Sequence, residues 1–300
     1  MFRPATMLAF RPAGIYRYHP HVLYACRAIG TAKKKQTNPK RKTASSEVIM
    51  EEETTSTRGK QTKYQTAYSR VSMPDAQKRL GFRFRDFEED GMPVSQMLAE
   101  TKPQIEGLSN DQIQQIKQTV FNNMVQFIQV EGYPTESDEN FKEANVNDLV
   151  LLTIFPILAA FRCETGHKVE LLREKEIIAT DSETGGTEEF VGMSVIGVGN
   201  QKFVFVVEAK KASIGQAKKQ CMLALKDMGD NNGAGIGFGF VTTGEQWQMI
   251  CYDCKVFTQT DRFQVLYHSM GHKKEKWMKE ASIIVDCIHT AIRSGGFVAA

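Results

Sequence analysis

The stretch FVFVVEAKKA, residues Phe203 to Ala212, decides the fold of this chain. Its first half is an unbroken apolar run, which predicts a strand that is buried on both faces. The run leads directly into Glu208 and Lys210 with no turn residue between them. This ending needs a specific explanation, because moving charged groups out of water is costly unless they are paired.

The segments on either side of this strand alternate between helical and extended patterns. The GVGNQK segment joins EFVGMSVIGV to KFVFVVEAK, which is typical of a β-hairpin with its turn near residues 198–199. HKVELLREKEIIA predicts a strand before the hairpin, and GIGFGFVTT and WQMICYDCKVF predict strands after it. The predicted helices cover about 109–132, 139–162, 213–228 and 275–293. This order predicts an α/β fold, with a mixed sheet, an antiparallel central hairpin and flanking helices.

The N-terminal region differs in composition from the rest of the chain. Residues 1–46 contain no Asp or Glu, and the run KKKQTNPKRK at 33–42 concentrates positive charge. The run is typical of a nuclear localisation signal or a phosphate-binding arm, whereas an acid-free, Arg-bearing N-terminus is typical of a mitochondrial presequence. We expect the nucleus, with the mitochondrion as the alternative, and a solvated tail with no special purpose stays open.

Composition also divides the chain into three parts. We expect a basic, largely disordered tail and linker at 1–75, a helical lead-in at 76–135 and the main α/β domain at 136–300. Within the lead-in, FRFRDF at 82–87 alternates like a short strand. No apolar run approaches the roughly 18 residues of a membrane span, so no membrane partner is expected.

The hairpin predicts which charged side chains meet. With a turn near 198–199, the numbers of opposed residues sum to about 397, so that Glu189 lies opposite Glu208. Side chains alternate along a strand, so Glu208 and Lys210 share a face. Directly opposed residues lie about 5 Å apart. Glu189, Glu208 and Lys210 are therefore expected to cluster at one end of the hairpin.

Such a cluster favours a divalent cation. Two adjacent carboxylates repel each other, and a cation relieves that repulsion. Hard oxygen ligands suit Mg²⁺, which keeps several waters and bridges to phosphate oxygens. A neighbouring lysine can orient or deprotonate a water on the metal, an arrangement that serves phosphodiester hydrolysis.

An acid on one strand, a short hairpin and Glu-x-Lys at the end of the next strand resemble the PD-(D/E)XK nucleases. This superfamily includes restriction endonucleases, RecB-like exonucleases and Holliday-junction resolvases. The resemblance covers roughly residues 139–255. GFVTTGEQWQMICYD resembles the branch typified by type I restriction subunits. The resemblance implies a restriction-endonuclease-like fold, magnesium-dependent nuclease activity and a nucleic-acid substrate, with DNA favoured over RNA. Many proteins that cut both strands act as pairs, so a homodimer is an open expectation.

The resemblance also implies roles for individual residues. VVEAKK matches the Glu-x-Lys strand, which makes Glu208 a metal ligand and Lys210 the catalytic lysine. The backbone carbonyl of Ala209 would bind the metal, and Gln220 on the following helix would assist. KEANVNDLV resembles the acid-bearing first helix, with Glu143 in the matching place. The family usually carries Asp as its first acid. Here the choice is Glu188 or Glu189, and the register selects Glu189.

Three lysines and three alternatives complete the sequence-based hypotheses. Lys211, Lys218 and Lys219 are expected to contact the phosphate backbone, or else to form a solvated face. Glu-x-Lys at the end of an edge strand is often only an exposed ion pair. Two alternatives remain. One is a relative of the same fold that binds nucleic acid without cutting it. The other is an effector protein whose basic tail only determines its location in the cell.

Overall fold

The structure, a computed structural model, describes residues 63–135, 139–197 and 200–297. The basic segment at 1–46 and the centre of the predicted hairpin turn at 198–199 lie outside the described residues. Gly59–Ala300 forms one compact unit.

Eight α-helices lie within the described residues. They are α1 Met73–Leu80, α2 Phe84–Glu89, α3 Val94–Glu100, α4 Asn110–Glu131, α5 Glu143–Thr165, α6 Ile214–Asn232, α7 Lys274–Lys276 and α8 Ile283–Ser294. Short 3-10 helices occupy Tyr68–Arg70 and Met270–His272, and a π-helical turn at Trp277–Ala281 links α7 to α8. The mixture of these helices with strands confirms the predicted α/β class.

The strands form one mixed, nine-stranded sheet. They are β1 Thr66–Ala67, β2 Gly91–Met92, β3 Val169–Ile178, β4 Thr184–Gly197, β5 Asn200–Ala209, β6 Gly237–Thr242, β7 Gln246–Tyr252, β8 Phe257–Thr260 and β9 Phe263–Gln264. The order is β1-β4-β5-β6-β7-β8-β2, with β3 paired to β4 and β9 to β7. β4 and β5 are antiparallel, and β5 and β6 are parallel because α6 crosses between them. The predicted strand WQMICYDCKVF is divided into β7 and β8 by a turn, in which Cys254 has a φ of 70°.

The register of the central hairpin is the predicted one. Phe190 pairs with Val207 and Val191 with Val206, and each pair of numbers sums to 397. Apolar residues on the two faces of this hairpin enter separate cores. The first core contains Phe190 and residues of α4, α5 and α8, and the second contains Val191 and residues of α1, α2 and α6. The central strands are therefore covered by helices on both faces, as their apolar sequence predicts.

The lead-in segment is part of the same fold. β2 of the lead-in pairs with β8, and β1, which lies in the predicted linker, pairs with β4, so residues from both segments extend the sheet. The predicted boundary at residue 75 falls inside α1. FRFRDF is helical rather than extended. Phe84 and Phe87 are buried at helical spacing in α2, and Phe82 packs on both rings. Core packing of the three rings outweighs the local alternation.

By length and composition, α5 would suffice to cross a membrane. One side of this helix is buried in the first core, through Val150, Ile154 and Phe161 among others. Its other side carries the exposed Phe155. The apolar residues of the buried side are accounted for by packing against α4, α8 and the sheet.

His289 of α8 makes a pH-dependent contribution to stability. Its Nε2 accepts a hydrogen bond from the backbone N–H of Leu108 at 3.0 Å. Burial, with Arg293 nearby, lowers the pKa of His289 from 6.5 to about 4. The fold therefore favours the neutral ring, so the contribution is complete above pH 6.5 and is lost as the pH falls through 4.

We expect this group alone to lower the free energy of unfolding by about 2–3 kcal/mol between pH 6.5 and pH 4. Urea denaturation at several pH values measures the effect. In His289→Gln that part of the pH dependence should vanish, since an amide does not protonate in this range. His268→Gln, at an exposed histidine, should keep it. Parallel pH profiles for the wild type and His289→Gln would contradict the prediction.

Candidate active site

The end of β5 brings four elements of the fold to one place. Glu208 and Ala209 are the last two residues of β5, and the backbone N–H of Lys210 donates to the Thr242 carbonyl of β6 at 3.0 Å. This bond extends the parallel β5–β6 ladder and fixes where the Lys210 side chain starts. Ala209 itself is buried and pairs with Thr242. Its predicted role as a carbonyl ligand stays a prediction.

Lys210 is the centre of the site. Its Nζ lies 2.9 Å from Glu143 Oε1, 3.1 Å from Glu208 Oε1 and 3.4 Å from Glu189 Oε1. The predicted cluster of Glu189, Glu208 and Lys210 is therefore present, and Glu143 joins it from the start of α5. The side chains are brought together by the fold, while their catalytic roles stay predictions.

The charge state of Lys210 follows from its neighbours. Burial alone would lower its pKa, but the carboxylates of Glu208 and Glu143 outweigh burial and raise the pKa above its ordinary value. Lys210 is thus a stable ammonium group in this arrangement. It can donate hydrogen bonds and neutralise charge, but it is not a proton acceptor here.

Glu143 and Glu189 form the more open side of the cluster. The Glu143 side chain is 44% exposed and that of Glu189 is 22% exposed. Asn147, four residues after Glu143 and on the same face of α5, donates from Nδ2 to Glu189 Oε2 at 2.8 Å. The first turn of α5 therefore holds Glu189 through an amide and contributes a second carboxylate at the edge.

Glu208 and Gln220 form the closed side. The Glu208 side chain is only 1% exposed, and the Gln220 amide of α6 donates to Glu208 Oε1. Gln216, one turn earlier, donates to Gln220 Oε1 at 3.3 Å and to the Ser69 carbonyl at 3.1 Å. Gln220, which the resemblance implies as an assisting residue, thus orients the Glu208 carboxylate, and Gln216 orients Gln220.

Glu188 is a site residue that the register calculation missed. It is 1% exposed, and its carboxyl group lies close enough to Glu208 for the two charges to interact. Burial, followed by the charge of Glu208, raises the pKa of Glu188 well above its ordinary value. Burial also raises the pKa of Glu208, although Lys210 opposes that shift. Both shifts favour the protonated forms of the two carboxyl groups.

A break in the side-chain alternation of β4 explains why Glu188 reaches this position. On a regular strand Gly186, Glu188 and Phe190 would share one face. Instead Gly186 contacts Tyr68 of the second core, whereas Phe190 belongs to the first core. The β3–β4 ladder steps over Glu174, which has a φ of 50°. This irregularity turns Glu188 toward α6 and leaves Glu189 facing Asn147 of α5.

Two of the predicted phosphate-binding lysines are not on the surface. Lys218 is 1% exposed and donates to Glu88 Oε1 at 2.6 Å and Gln259 Oε1 at 2.9 Å. Lys219 is 3% exposed and donates to the Val71 carbonyl at 2.6 Å. Burial lowers the pKa of both groups. The N-terminal elements cover this side of α6, so neither ammonium group is available to a phosphate. Lys211 is half-buried beside the cluster.

The acids of this cluster differ in whether they could hold Mg²⁺. Among the residues that the structure describes, no group of three or more His, Cys, Asp or Glu side chains is arranged to hold a metal ion. Both oxygens of Glu188 and the Oε2 of Glu208 are nevertheless buried and receive no hydrogen bond from the described part of the chain. Mg²⁺ commonly uses one or two carboxylates and completes its shell with water and phosphate oxygens. These two residues fit that kind of site.

Comparison with known proteins adds no family to this geometry. No protein-family model matches the sequence, and no curated protein matches it.

Proposed function

We propose that this protein is a magnesium-dependent nuclease of the PD-(D/E)XK type that hydrolyses phosphodiester bonds of nucleic acid. The observation that carries the proposal is the pair of buried carboxyl groups, Glu188 and Glu208, beside a protonated lysine that contacts three carboxylates. Neither oxygen of Glu188 accepts a hydrogen bond from the described part of the chain, and a buried carboxylate without a partner is costly to a fold. A bound cation would stabilise the charge of the two acids, and a phosphate group would interact with the ammonium group of the lysine.

Each residue has a distinct part in the proposed reaction. Glu208 and Glu188 hold the metal, with the Ala209 carbonyl as the predicted backbone ligand. Bound Mg²⁺ supplies electrostatic stabilisation of the charge that develops on the phosphate. Gln220 keeps the Glu208 carboxylate in one orientation through its amide. Lys210 offers its ammonium group to an attacking water or a phosphate oxygen, where it stabilises negative charge.

The open side of the cluster suits the water that attacks the phosphate. Glu143 is part of the Lys210 contact network but remains 44% exposed, so it can accept a proton and pass it to solvent. Glu189 is held by Asn147 and Lys210, which fits a residue that positions the lysine. In this proposal Glu188 replaces Glu189 as the carboxylate partner of Glu208.

The alternative is a protein of the same fold that binds nucleic acid without cutting it. It is favoured by the contact of Lys210 with all three of its neighbouring carboxylates, which partly offsets their charge without any metal. This alternative expects nucleic-acid binding that weakens steeply with salt and no cleavage on addition of magnesium.

Metal affinity tests which acid completes the site. We expect Glu188→Gln to weaken Mg²⁺ binding at least tenfold, measured by isothermal titration calorimetry. Removing a carboxylate that binds the ion should reduce the affinity at least as much as removing a hydrogen bond to such a carboxylate. Glu189→Gln, which removes a neighbouring charge of the same sign, should have a smaller effect. Equal affinities for the wild type and Glu188→Gln would remove Glu188 from the site.

Cleavage tests the function itself. Wild-type protein is incubated with supercoiled plasmid DNA and with end-labelled single-stranded DNA and RNA, in magnesium or in EDTA. We expect the wild type to cleave in magnesium and not in EDTA. We expect Glu208→Gln to show no cleavage in magnesium. Binding without cleavage in any arm would instead support the inactive alternative, and the absence of both would contradict the two readings together.

A further inference from the structure

An open groove of about 460 Å³ adjoins the carboxylate cluster. Lys211 and Val146 are part of its lining. Lys211 directly follows Lys210, and Val146 lies on α5 three residues after Glu143. The groove therefore begins where the cluster ends, at the carboxyl end of β5 and the first turn of α5.

A stacked pair of rings lines the same groove. The ring centroids of Tyr133 and His268 are 4.2 Å apart, with an angle of 26° between the ring planes. The Tyr133 hydroxyl donates to Glu245 Oε1 at 2.8 Å, and the Gln264 amide donates to the same oxygen at 3.0 Å. Burial and the Glu245 carboxylate raise the pKa of Tyr133, so the phenol keeps the proton that it donates.

These contacts build a supported platform. The hydrogen bond fixes the half-buried Tyr133 ring, and that ring covers one face of the exposed His268 ring. A flat ligand can pack on the remaining face of His268. Thr243 and Gln246 also line the groove and carry hydrogen-bonding groups that suit the edge of a base.

We propose that this groove binds an unpaired nucleotide of a nucleic-acid single strand, with its base stacked on His268. The inference rests on the proposed function, which brings a phosphodiester group to Lys210 next to the groove. Stacking on an aromatic ring accepts any base, because every base has a π face. Bases inside a duplex have their faces covered by neighbouring pairs and would have to leave the stack first. The groove thus assigns single-stranded or locally unpaired nucleic acid as the substrate class.

The test uses full-length protein in EDTA and a short single-stranded oligodeoxynucleotide with one 2-aminopurine base, whose fluorescence falls when it stacks. We expect quenching with the wild type, and an affinity about fivefold or more lower with His268→Ala. His268→Phe keeps a flat aromatic face and should remain within about twofold of the wild type. His272→Ala removes another exposed histidine outside the groove and should match the wild type. An oligoribonucleotide of the same sequence separates RNA from DNA as the preferred strand.

The outcomes distinguish this inference from the function on which it rests. If the wild type cleaves nucleic acid in magnesium but His268→Ala binds single strands as tightly as the wild type, the groove assignment is wrong and the nuclease proposal stands. If the wild type binds a matched duplex more tightly than the single strand, the substrate class is wrong. If the wild type neither binds nor cleaves any strand, both proposals fall.

Discussion

Replacing Lys210 with methionine is expected to slow magnesium-dependent phosphodiester cleavage by about a hundred- to a thousandfold. Methionine is close to lysine in length but carries no charge. The ammonium group that it removes lies 2.9–3.4 Å from three carboxylates and keeps its proton. Cleavage develops negative charge at the phosphate, which this ammonium group would stabilise. Single-turnover rates on a labelled oligonucleotide measure the loss.

A matched control distinguishes the loss of the Lys210 ammonium group at the site from a change in the net charge of the protein. Lys226 lies on α6 and forms only an i,i+4 ion pair with Asp230 at 3.3 Å. Lys226→Met removes the same charge from the chain and should cleave at the wild-type rate. Far-UV circular dichroism should show that Lys210→Met remains folded. Wild-type cleavage by a folded Lys210→Met protein would exclude the proposed role of this residue.

The sequence predicted the hairpin well because two independent signals agree on it. The turn signal near 198–199 fixes the register, and the apolar residues on β4 and β5 are placed on their cores by the same register. A slip by one residue would reverse both faces of each strand, so this part of the fold is strongly specified. The cluster of Glu189, Glu208 and Lys210 follows from it.

Glu188 could not be predicted in the same way, because strict alternation along β4 fails between Glu188 and Phe190. The signal that remained visible was the pair of adjacent acids, Glu188 and Glu189, of which the calculation could select only one. The deciding feature is the positive φ of Glu174 on the neighbouring strand, and nothing in a glutamate predicts that conformation.

The positions of Lys218 and Lys219 depend on contacts that are distant in sequence. On α6 alone, two adjacent lysines predict a solvated face. That face is covered by residues more than a hundred positions earlier, Val71 and Glu88, which accept hydrogen bonds from the two lysines. Since those segments were assigned to a linker and a lead-in, no local pattern could show that they form the cover.

The same N-terminal cover is attached to α6 by a buried aspartate. Asp227 is fully buried, and its Oδ2 accepts hydrogen bonds from the Tyr68 hydroxyl at 2.7 Å and from Thr184 at 3.0 Å. Its Oδ1 pairs with Arg79 of α1 at 3.0 Å. Arg79 also contacts Asp181 and Glu183 in the loop before β4. The Asp227 carboxylate thus links α6 to the 3-10 helix at Tyr68–Arg70, to α1 and to β4.

We expect Asp227→Ala to lower the free energy of unfolding by about 3–5 kcal/mol, because Arg79 loses the one fully buried carboxylate among its three acidic partners. The buried Tyr68 hydroxyl would also lose its hydrogen-bond acceptor. Urea denaturation measures the shift. Asp230→Ala, three residues along α6, removes a half-exposed aspartate from an i,i+4 pair and should cost less than about 1 kcal/mol. Because Asp227 holds the segment that covers α6, hydrogen exchange at the Thr66 amide, which bonds to the Glu183 carbonyl, should also accelerate in Asp227→Ala. Equal losses of stability in the two variants would show that the segment is held by apolar packing alone.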